Sequence, residues 1–188
     1  MANWITLARI GLIAPFTFAF LANAPWNMTA AFVIFVIAAL SDFLDGRVAR
    51  ARGEVSALGA ALDPLADKLL AAAALILLVR NGLIAGAGVV AVIVIILREL
   101  LVSGLREALG ARKESLPVTL LAKWKTTAQL LAIGLFLVSA PQGLAGSGLR
   151  PAAVGMLWLA AVLTFWTGAG YASRAVQILH KDAPSETL

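Results

Sequence analysis

The sequence predicts an all-α integral membrane protein with six transmembrane helices and with both termini in the cytoplasm. Of its 188 residues, 61% are hydrophobic and only 13% are charged, whereas about 25% of the residues in a soluble domain are charged. The mean hydropathy is +0.93. A transmembrane helix needs about 20 mostly apolar residues. Six segments meet that requirement: 4–23, 27–50, 57–79, 82–109, 117–140 and 151–179.

Turn signals or charges separate these segments. The stretch 23–27 has a proline and two asparagines, which favours a tight turn, and Arg80-Asn81-Gly82 is typical of a helix end with a glycine cap. No basic stretch precedes the first apolar segment, so we interpret it as a retained helix and not as a signal peptide. We expect a single membrane domain over residues 1–180 and a polar tail over 181–188.

The distribution of Lys and Arg predicts the orientation. With the N-terminus inside, the outer loops contain only Arg80 and Arg150, and the other basic residues lie in or near cytoplasmic ends. The net charge of +5 therefore favours anionic lipid and phosphate substrates as partners. No basic tail or aromatic-rich basic patch is present, so we expect no nucleic acid partner. The chain has no cysteine, which excludes disulfides, thiolate ligands and a cysteine nucleophile.

Four aspartates form the most informative cluster in the chain. Asp42 and Asp45 are three residues apart at the inner end of the second helix, and Asp63 and Asp67 are four apart at the start of the third. Each pair shares a helix face, and charged carboxylates beside hydrocarbon require compensating cations. Because all-oxygen ligation suits hard ions, we predict a site for Mg²⁺ or Mn²⁺, which two ions could share. The alternative is that these carboxylates are exposed and pair with nearby Arg and Lys side chains.

Small and basic residues accompany the aspartates. Gly46 and Gly59 lie at the same level and would let a flat base or a diphosphate approach the helix backbones. Arg50 stands on the side of Asp42 and Asp45, where it can pair with a carboxylate or a phosphate.

Residues 42–67 resemble the signature of the CDP-alcohol phosphatidyltransferase family, D-x2-D-G-x2-A-R-x8-G-x3-D-x3-D, at every fixed position. The resemblance implies a homodimer in the bacterial inner membrane, with the active site facing the cytoplasm. It implies that the four aspartates hold two Mg²⁺ or Mn²⁺ ions on the diphosphate of CDP-diacylglycerol, and that Asp67 is the general base. The donor-binding positions that it implies, with Arg50 beside them, are Asp42, Gly46, Ala49 and Gly59.

A second cluster is basic. Arg98 and Arg106 are eight residues apart, or about 80° around a helix, so both can face one pocket. Lys123 and Lys125 begin the fifth helix at the same membrane level. Such cations would bind a dianionic phosphate well, which favours a phosphorylated acceptor over serine or choline. The alternative is ordinary basic flanking of helix ends.

These basic residues extend the resemblance to the branch of the family that uses glycerol 3-phosphate as acceptor. It rests on Arg98-Glu99 through Arg106-Glu107 and on the run from Lys123 to Gln129, and helix six and the tail contribute little to it. It implies that Arg98, Arg106 and Lys123 hold the phosphate of glycerol 3-phosphate.

Two other functions remain open at this point. One keeps the chemistry but uses another acceptor, such as inositol phosphate. The other is a divalent-cation transporter, although that function predicts carboxylates near the middle of the bilayer, and these lie at its inner edge.

Overall fold

The structure is a computed structural model that describes the backbone of residues 2–52, 57–110 and 120–181. It describes the side chains of residues 10–41, 68–110, 120–175, 177 and 178. These ranges contain no strand, which confirms the all-α prediction. The α-helices are α1 (Ala2–Leu21), α2 (Asn27–Arg52), α3 (Ala57–Arg80), α4 (Ala87–Gly110), α5 (Leu120–Val138) and α6 (Arg150–Lys181), with a short 3-10 helix at Gly146–Leu149.

Most helix ends lie close to the predicted ones, but the predicted start of the fourth helix at residue 82 is wrong. The chain makes a turn first, with Gly82 at a φ of 69° and Gly86 at a φ of 55°. Such positive φ values are open to glycine and costly for other residues. As a result, α4 begins only at Ala87. Residues 117–119 and 182–188 of the predicted segments lie outside the described residues.

Asn27 stabilises the predicted turn between α1 and α2. Its side-chain amide donates to the Ala22 carbonyl over 3.0 Å, and its side-chain oxygen accepts from the Met28 N–H over 2.6 Å. One buried asparagine therefore bonds both the first turn of α2 and the chain just after α1, which holds the two helix ends together.

The outer turns are also tied together. The guanidinium of Arg150, at the start of α6, donates to the Leu83 carbonyl over 2.8 Å and to the Gly82 carbonyl over 3.3 Å. The turn between α3 and α4 is thereby fixed to the first turn of α6.

The helices pack around one main apolar core. α6 packs against α5 and α4, while α1 packs against α2 and α3. Large core side chains with almost no exposure include Phe16, Leu75, Ile95, Phe136 and Leu157. A smaller cluster between α4 and α6 contains Val102, Leu109, Tyr171 and Ala175. This second cluster joins the two helices beside the basic residues of α4.

The outside of the bundle is apolar as well. Phe18 and Leu120 are each 73% exposed, and Trp166 is 72% exposed. Among the described residues, three stretches are long and apolar enough to cross a membrane: Ala87–Gly110, Leu120–Val138 and Gly146–Ala175. Ile10–Leu21 and Asn27–Ser41 are shorter apolar helices. An apolar outer surface on such helices is what contact with lipid requires, so the chain is an all-helical membrane protein.

Candidate functional site

A pocket of about 240 Å³ is lined by residues of α2, α3, α4 and α5. Its apolar lining comes mainly from small residues, among them Ala38 and Ala39 of α2 and Ala71 of α3. Its polar lining consists of three basic side chains, Lys68, Arg106 and Lys125, together with Glu99, Thr126 and Gln129. Small side chains of α2 and α3 leave the space, and charged side chains of α3, α4 and α5 line it.

Glu99 is the anionic centre of the described part of the pocket. Its Oε1 accepts from Lys125 Nζ, which lies on a side chain only 6% exposed, and from Arg98 Nη1 over 3.5 Å. Burying an ammonium group is expensive unless a counter-ion accompanies it. Glu99 therefore supplies the counter-ion for Lys125 inside the bundle and holds its side chain at the pocket.

Lys68 is held from a second direction. Its Nζ donates to Ser103 Oγ, and Ser103 Oγ donates to the Glu99 carbonyl over 2.7 Å. Glu99 and Ser103 are four residues apart and share a face of α4. One face of α4 thus organises cations from α3 and α5.

α6 holds the two arginines of α4. Arg98 Nη2 donates to Thr167 Oγ1 over 3.0 Å, and Arg106 Nη2 donates to the Tyr171 hydroxyl over 3.2 Å. The Tyr171 ring also lies 5.4 Å from the Cζ of Arg98 and 5.2 Å from the Cζ of Arg106. Both distances are within the range of cation–π attraction. Arg98 and Arg106 thus share one tyrosine, but of the two only Arg106 lines the pocket, so their joint binding of one ligand stays a prediction.

The described side chains give this region an excess of positive charge. Lys68, Arg98, Arg106 and Lys125 are cationic, and Glu99 is the one carboxylate bonded to them among the described residues. The Nε atoms of Arg98 and Arg106 are buried and have no hydrogen-bond partner among the described side chains. Buried donors of this kind are normally satisfied, so the arrangement suits an anion with several acceptor oxygens.

The four predicted metal-binding aspartates lie on α2 and α3, but their side chains are outside the described residues, as are those of Gly46, Ala49, Arg50 and Gly59. Neighbouring turns are described and line the pocket, since Ala38 and Ala39 precede Asp42 by about one turn and Lys68 follows Asp67 directly. The described side chains contain no metal-binding group of three or more His, Cys, Asp or Glu. A donor set of four carboxylates on helices that reach one pocket fits hard divalent ions, which take oxygen ligands.

Lys123 and Lys125 have different surroundings. Lys125 is buried and lines the pocket, whereas Lys123 is on the exposed side of α5. Residues two apart on a helix point about 200° apart, so only one of them can face inward. The assignment of Lys123 to an acceptor phosphate stays a prediction.

Sequence reasoning did not identify Lys68, Thr167 or Tyr171 as parts of this region. Thr167 and Tyr171 are four residues apart on α6, and Tyr171 is the only tyrosine of the chain. That spacing was the only sequence signal that the two side chains share a helix face. In an apolar helix, however, Thr and Tyr are also common as residues that simply pack between helices.

Fold and pocket together define a class: an all-helical membrane protein with a pocket between its helices that is lined by several cationic side chains. Residues 1–166 match the CDP-alcohol phosphatidyltransferase family. Three similar relatives all carry the name CDP-diacylglycerol–glycerol-3-phosphate 3-phosphatidyltransferase. The Rickettsia bellii protein is 38% identical over 174 residues (91% of this chain and 92% of the relative), and the Cereibacter sphaeroides protein is 34% identical over 193 (85% and 87%). An Arabidopsis thaliana protein with the same name, numbered 2, is 35% identical over 188 residues (94% and 80%). The chain belongs to the CDP-alcohol phosphatidyltransferase family.

Proposed function

We propose that this protein transfers the phosphatidyl group of CDP-diacylglycerol to the 1-hydroxyl of sn-glycerol 3-phosphate and releases CMP. The observation that carries the proposal is the pocket lined by three cations, Lys68, Arg106 and Lys125, in which Glu99 is the one carboxylate among the described lining residues. A phosphate monoester brings two negative charges and several acceptor oxygens to such a place. The names of the relatives support the same donor and acceptor.

The donor half of the site is proposed from the aspartate motif. Asp42, Asp45, Asp63 and Asp67 would hold two Mg²⁺ or Mn²⁺ ions, which when bound neutralise charge on the diphosphate oxygens. Gly46, Ala49 and Gly59, with Asp42, would line the cytidine pocket, and Arg50 would pair with a phosphate.

The acceptor half is proposed on α4 and α5. Arg98, Arg106 and Lys123 would hold the phosphate of glycerol 3-phosphate, with Lys125 and Lys68 adding positive charge from inside the pocket. When the phosphate is bound in this way, the 1-hydroxyl at the other end of the three-carbon acceptor points away from the arginines. Binding energy at the phosphate thereby orients the reacting oxygen.

The transfer itself is one displacement at phosphorus. The 1-hydroxyl oxygen of the acceptor bonds to the phosphorus that carries the diacylglycerol, and the bond from that phosphorus to the oxygen bridging to CMP breaks. Asp67 takes the hydroxyl proton, and CMP leaves with the electron pair. Asp67 precedes Lys68, a pocket residue, so the proposed base and acceptor pocket are neighbours in the chain.

An acceptor panel tests the proposal. Purified protein with CDP-diacylglycerol should release CMP and form a phospholipid with glycerol 3-phosphate, and should do neither with glycerol. Faster turnover with inositol phosphate would show that inositol phosphate is the acceptor, while the proposed phosphatidyl transfer would stand. Release of no CMP with any acceptor, together with uptake of divalent ions into vesicles, would favour the transporter.

Asp63→Asn tests the metal site. We expect it to lower transfer by at least about a hundredfold, because an amide cannot replace a shared anionic ligand, while expression and folding stay near normal. Asp182→Asn in the polar tail is the control and should transfer at the wild-type rate. If Asp63→Asn kept activity within about threefold of wild type, Asp63 could not be a shared ligand of the two proposed metal ions.

We further propose that all six helices span the bacterial inner membrane, with both termini and the active site on the cytoplasmic side. The support is the bias of Lys and Arg toward the loops on that side. A homodimer is proposed on the resemblance to the family.

A further inference from the structure

A short stretch of α6 contacts the two arginines of α4 and holds their side chains in place. Thr167, Gly168 and Tyr171 are all buried, and they lie just beyond residue 166, where the match to the family ends. Thr167 accepts from Arg98, and Tyr171 contacts both Arg98 and Arg106.

Gly168 sets the path of the Arg98 side chain. A Cβ atom at Gly168 would lie 2.7 Å from Cγ of Arg98, 3.4 Å from its Nε and 3.6 Å from its Cδ. The closest of these is the stem of the side chain, which cannot move without shifting the guanidinium. The absence of a side chain at Gly168 is therefore what lets Arg98 lie against α6.

Thr167 and Tyr171 fix the two guanidinium groups in different ways. Thr167 Oγ1 donates to the carbonyls of Leu163 and Thr164 over 2.8 and 3.1 Å, which turns its lone pairs toward Arg98. Tyr171 offers its ring face to both arginines and its hydroxyl to Arg106. Arg98 thus has both terminal nitrogens bonded, one to Glu99 and one to Thr167, while Arg106 has one bonded to Tyr171. The buried Nε of each arginine has no hydrogen-bond partner within the described part of the chain.

We propose that Thr167, Gly168 and Tyr171 are positioning residues that fix Arg98 and Arg106 for the phosphate of the acceptor. This inference rests on the proposed function. Two long arginine side chains lose much conformational freedom when they bind a phosphate, and prior ordering by α6 removes that loss from the binding step. The three residues act through the arginines and do not contact the substrate.

Gly168→Ala is the principal test, and Gly170→Ala is its matched control. Gly170 is on the same helix and exposed, and a Cβ there would meet no atom within 4 Å. We expect Gly168→Ala to raise KM for glycerol 3-phosphate about tenfold, with KM for CDP-diacylglycerol unchanged. Gly170→Ala should match the wild type in both.

A double-variant cycle separates positioning from general damage. If Gly168 acts through Arg98, then Gly168→Ala combined with Arg98→Ala should have the KM of Arg98→Ala alone. Additive effects of the two substitutions, or equal increases in both KM values for Gly168→Ala, would overturn the inference.

Two milder variants keep the test decisive if Gly168→Ala does not fold. Thr167→Val removes the oxygen that Arg98 uses, and Tyr171→Phe removes the hydroxyl that Arg106 uses but keeps the ring. Each should raise KM for glycerol 3-phosphate about threefold or more at unchanged kcat. Wild-type values for both would overturn the inference even with the proposed function intact. If wild-type protein released no CMP with glycerol 3-phosphate, the proposed function and this inference would fall together.

Discussion

At the scale of single residues, Glu99 decides how the cationic pocket is held together. Its carboxylate binds Lys125 of α5 and Arg98 of α4, and its backbone carbonyl binds Ser103, which in turn binds Lys68. One acidic residue thus organises cations on three helices. The pocket is cationic because this single carboxylate is outnumbered by its partners within the described part of the chain.

Arg106→Ala tests the acceptor contact directly. Loss of a charged hydrogen bond costs about 1.5–3 kcal/mol, so KM for glycerol 3-phosphate should rise by roughly tenfold or more, with KM for CDP-diacylglycerol little changed. Arg106→Lys should restore only part of the affinity, because a point charge replaces a planar fork. Arg80→Ala, whose guanidinium pairs with the adjacent Asn81 at the end of α3, is the control. Equal increases in both KM values would contradict the assignment.

The two lysines of α5 should differ in stability. Lys125→Met removes the buried partner of Glu99 and should destabilise the protein by about 1–3 kcal/mol, seen as a lower unfolding temperature in detergent. Lys123→Met should leave that temperature unchanged, since Lys123 is exposed, and should raise KM for glycerol 3-phosphate if Lys123 holds its phosphate. Equal unfolding temperatures for the two variants would show that the Lys125–Glu99 pair does not stabilise the fold.

At the scale of helices, the turn between α3 and α4 depends on backbone conformation. Gly82 has a φ of 69°, and an alanine there would be less favourable by about 1–2 kcal/mol. Gly82→Ala should therefore lower the unfolding temperature while leaving both KM values unchanged. Gly155→Ala is the control, since Gly155 is helical and exposed with open space around it, and it should be neutral or slightly stabilising. An unchanged unfolding temperature for Gly82→Ala would contradict the strain argument.

Helix positions were largely predictable from the sequence, because apolar runs of bilayer length separated by turn residues leave few alternatives. The start of α4 was not, since the run from Gly82 to Gly86 is apolar enough to be helical and only its backbone angles exclude it. The rotation of α5 was equally hidden, because Lys123 and Lys125 are both polar and only packing decides which faces inward. The contacts of α6 with Arg98 and Arg106 were not predicted, because the role of Thr167, Gly168 and Tyr171 depends on how α6 packs against α4, which the sequence does not show. The predicted metal site rests on the spacing of the aspartate motif alone, because the side chains of the four aspartates lie outside the described residues.

At the scale of the whole molecule, the cysteine-free chain allows a direct test of topology. Ala145→Cys lies in the exposed loop before α6, and Gly110→Cys lies at the exposed end of α4. With both termini in the cytoplasm, a membrane-impermeant maleimide should label Ala145→Cys in intact spheroplasts and Gly110→Cys only after permeabilisation. The reverse pattern would invert the orientation, and the wild type, which has no thiol, serves as the blank.

The length of α6 has a mechanical consequence. The helix has 32 residues, which is about 48 Å, against a hydrocarbon thickness of about 30 Å. Arg150 anchors one end to the carbonyls of Gly82 and Leu83, and Thr167 grips Arg98 about 26 Å further along the axis. Because a helix is stiff along its axis, α6 cannot slide without breaking both attachments. The position of the arginines along the axis of the bundle is therefore fixed relative to the turn between α3 and α4 at the other end of the bundle.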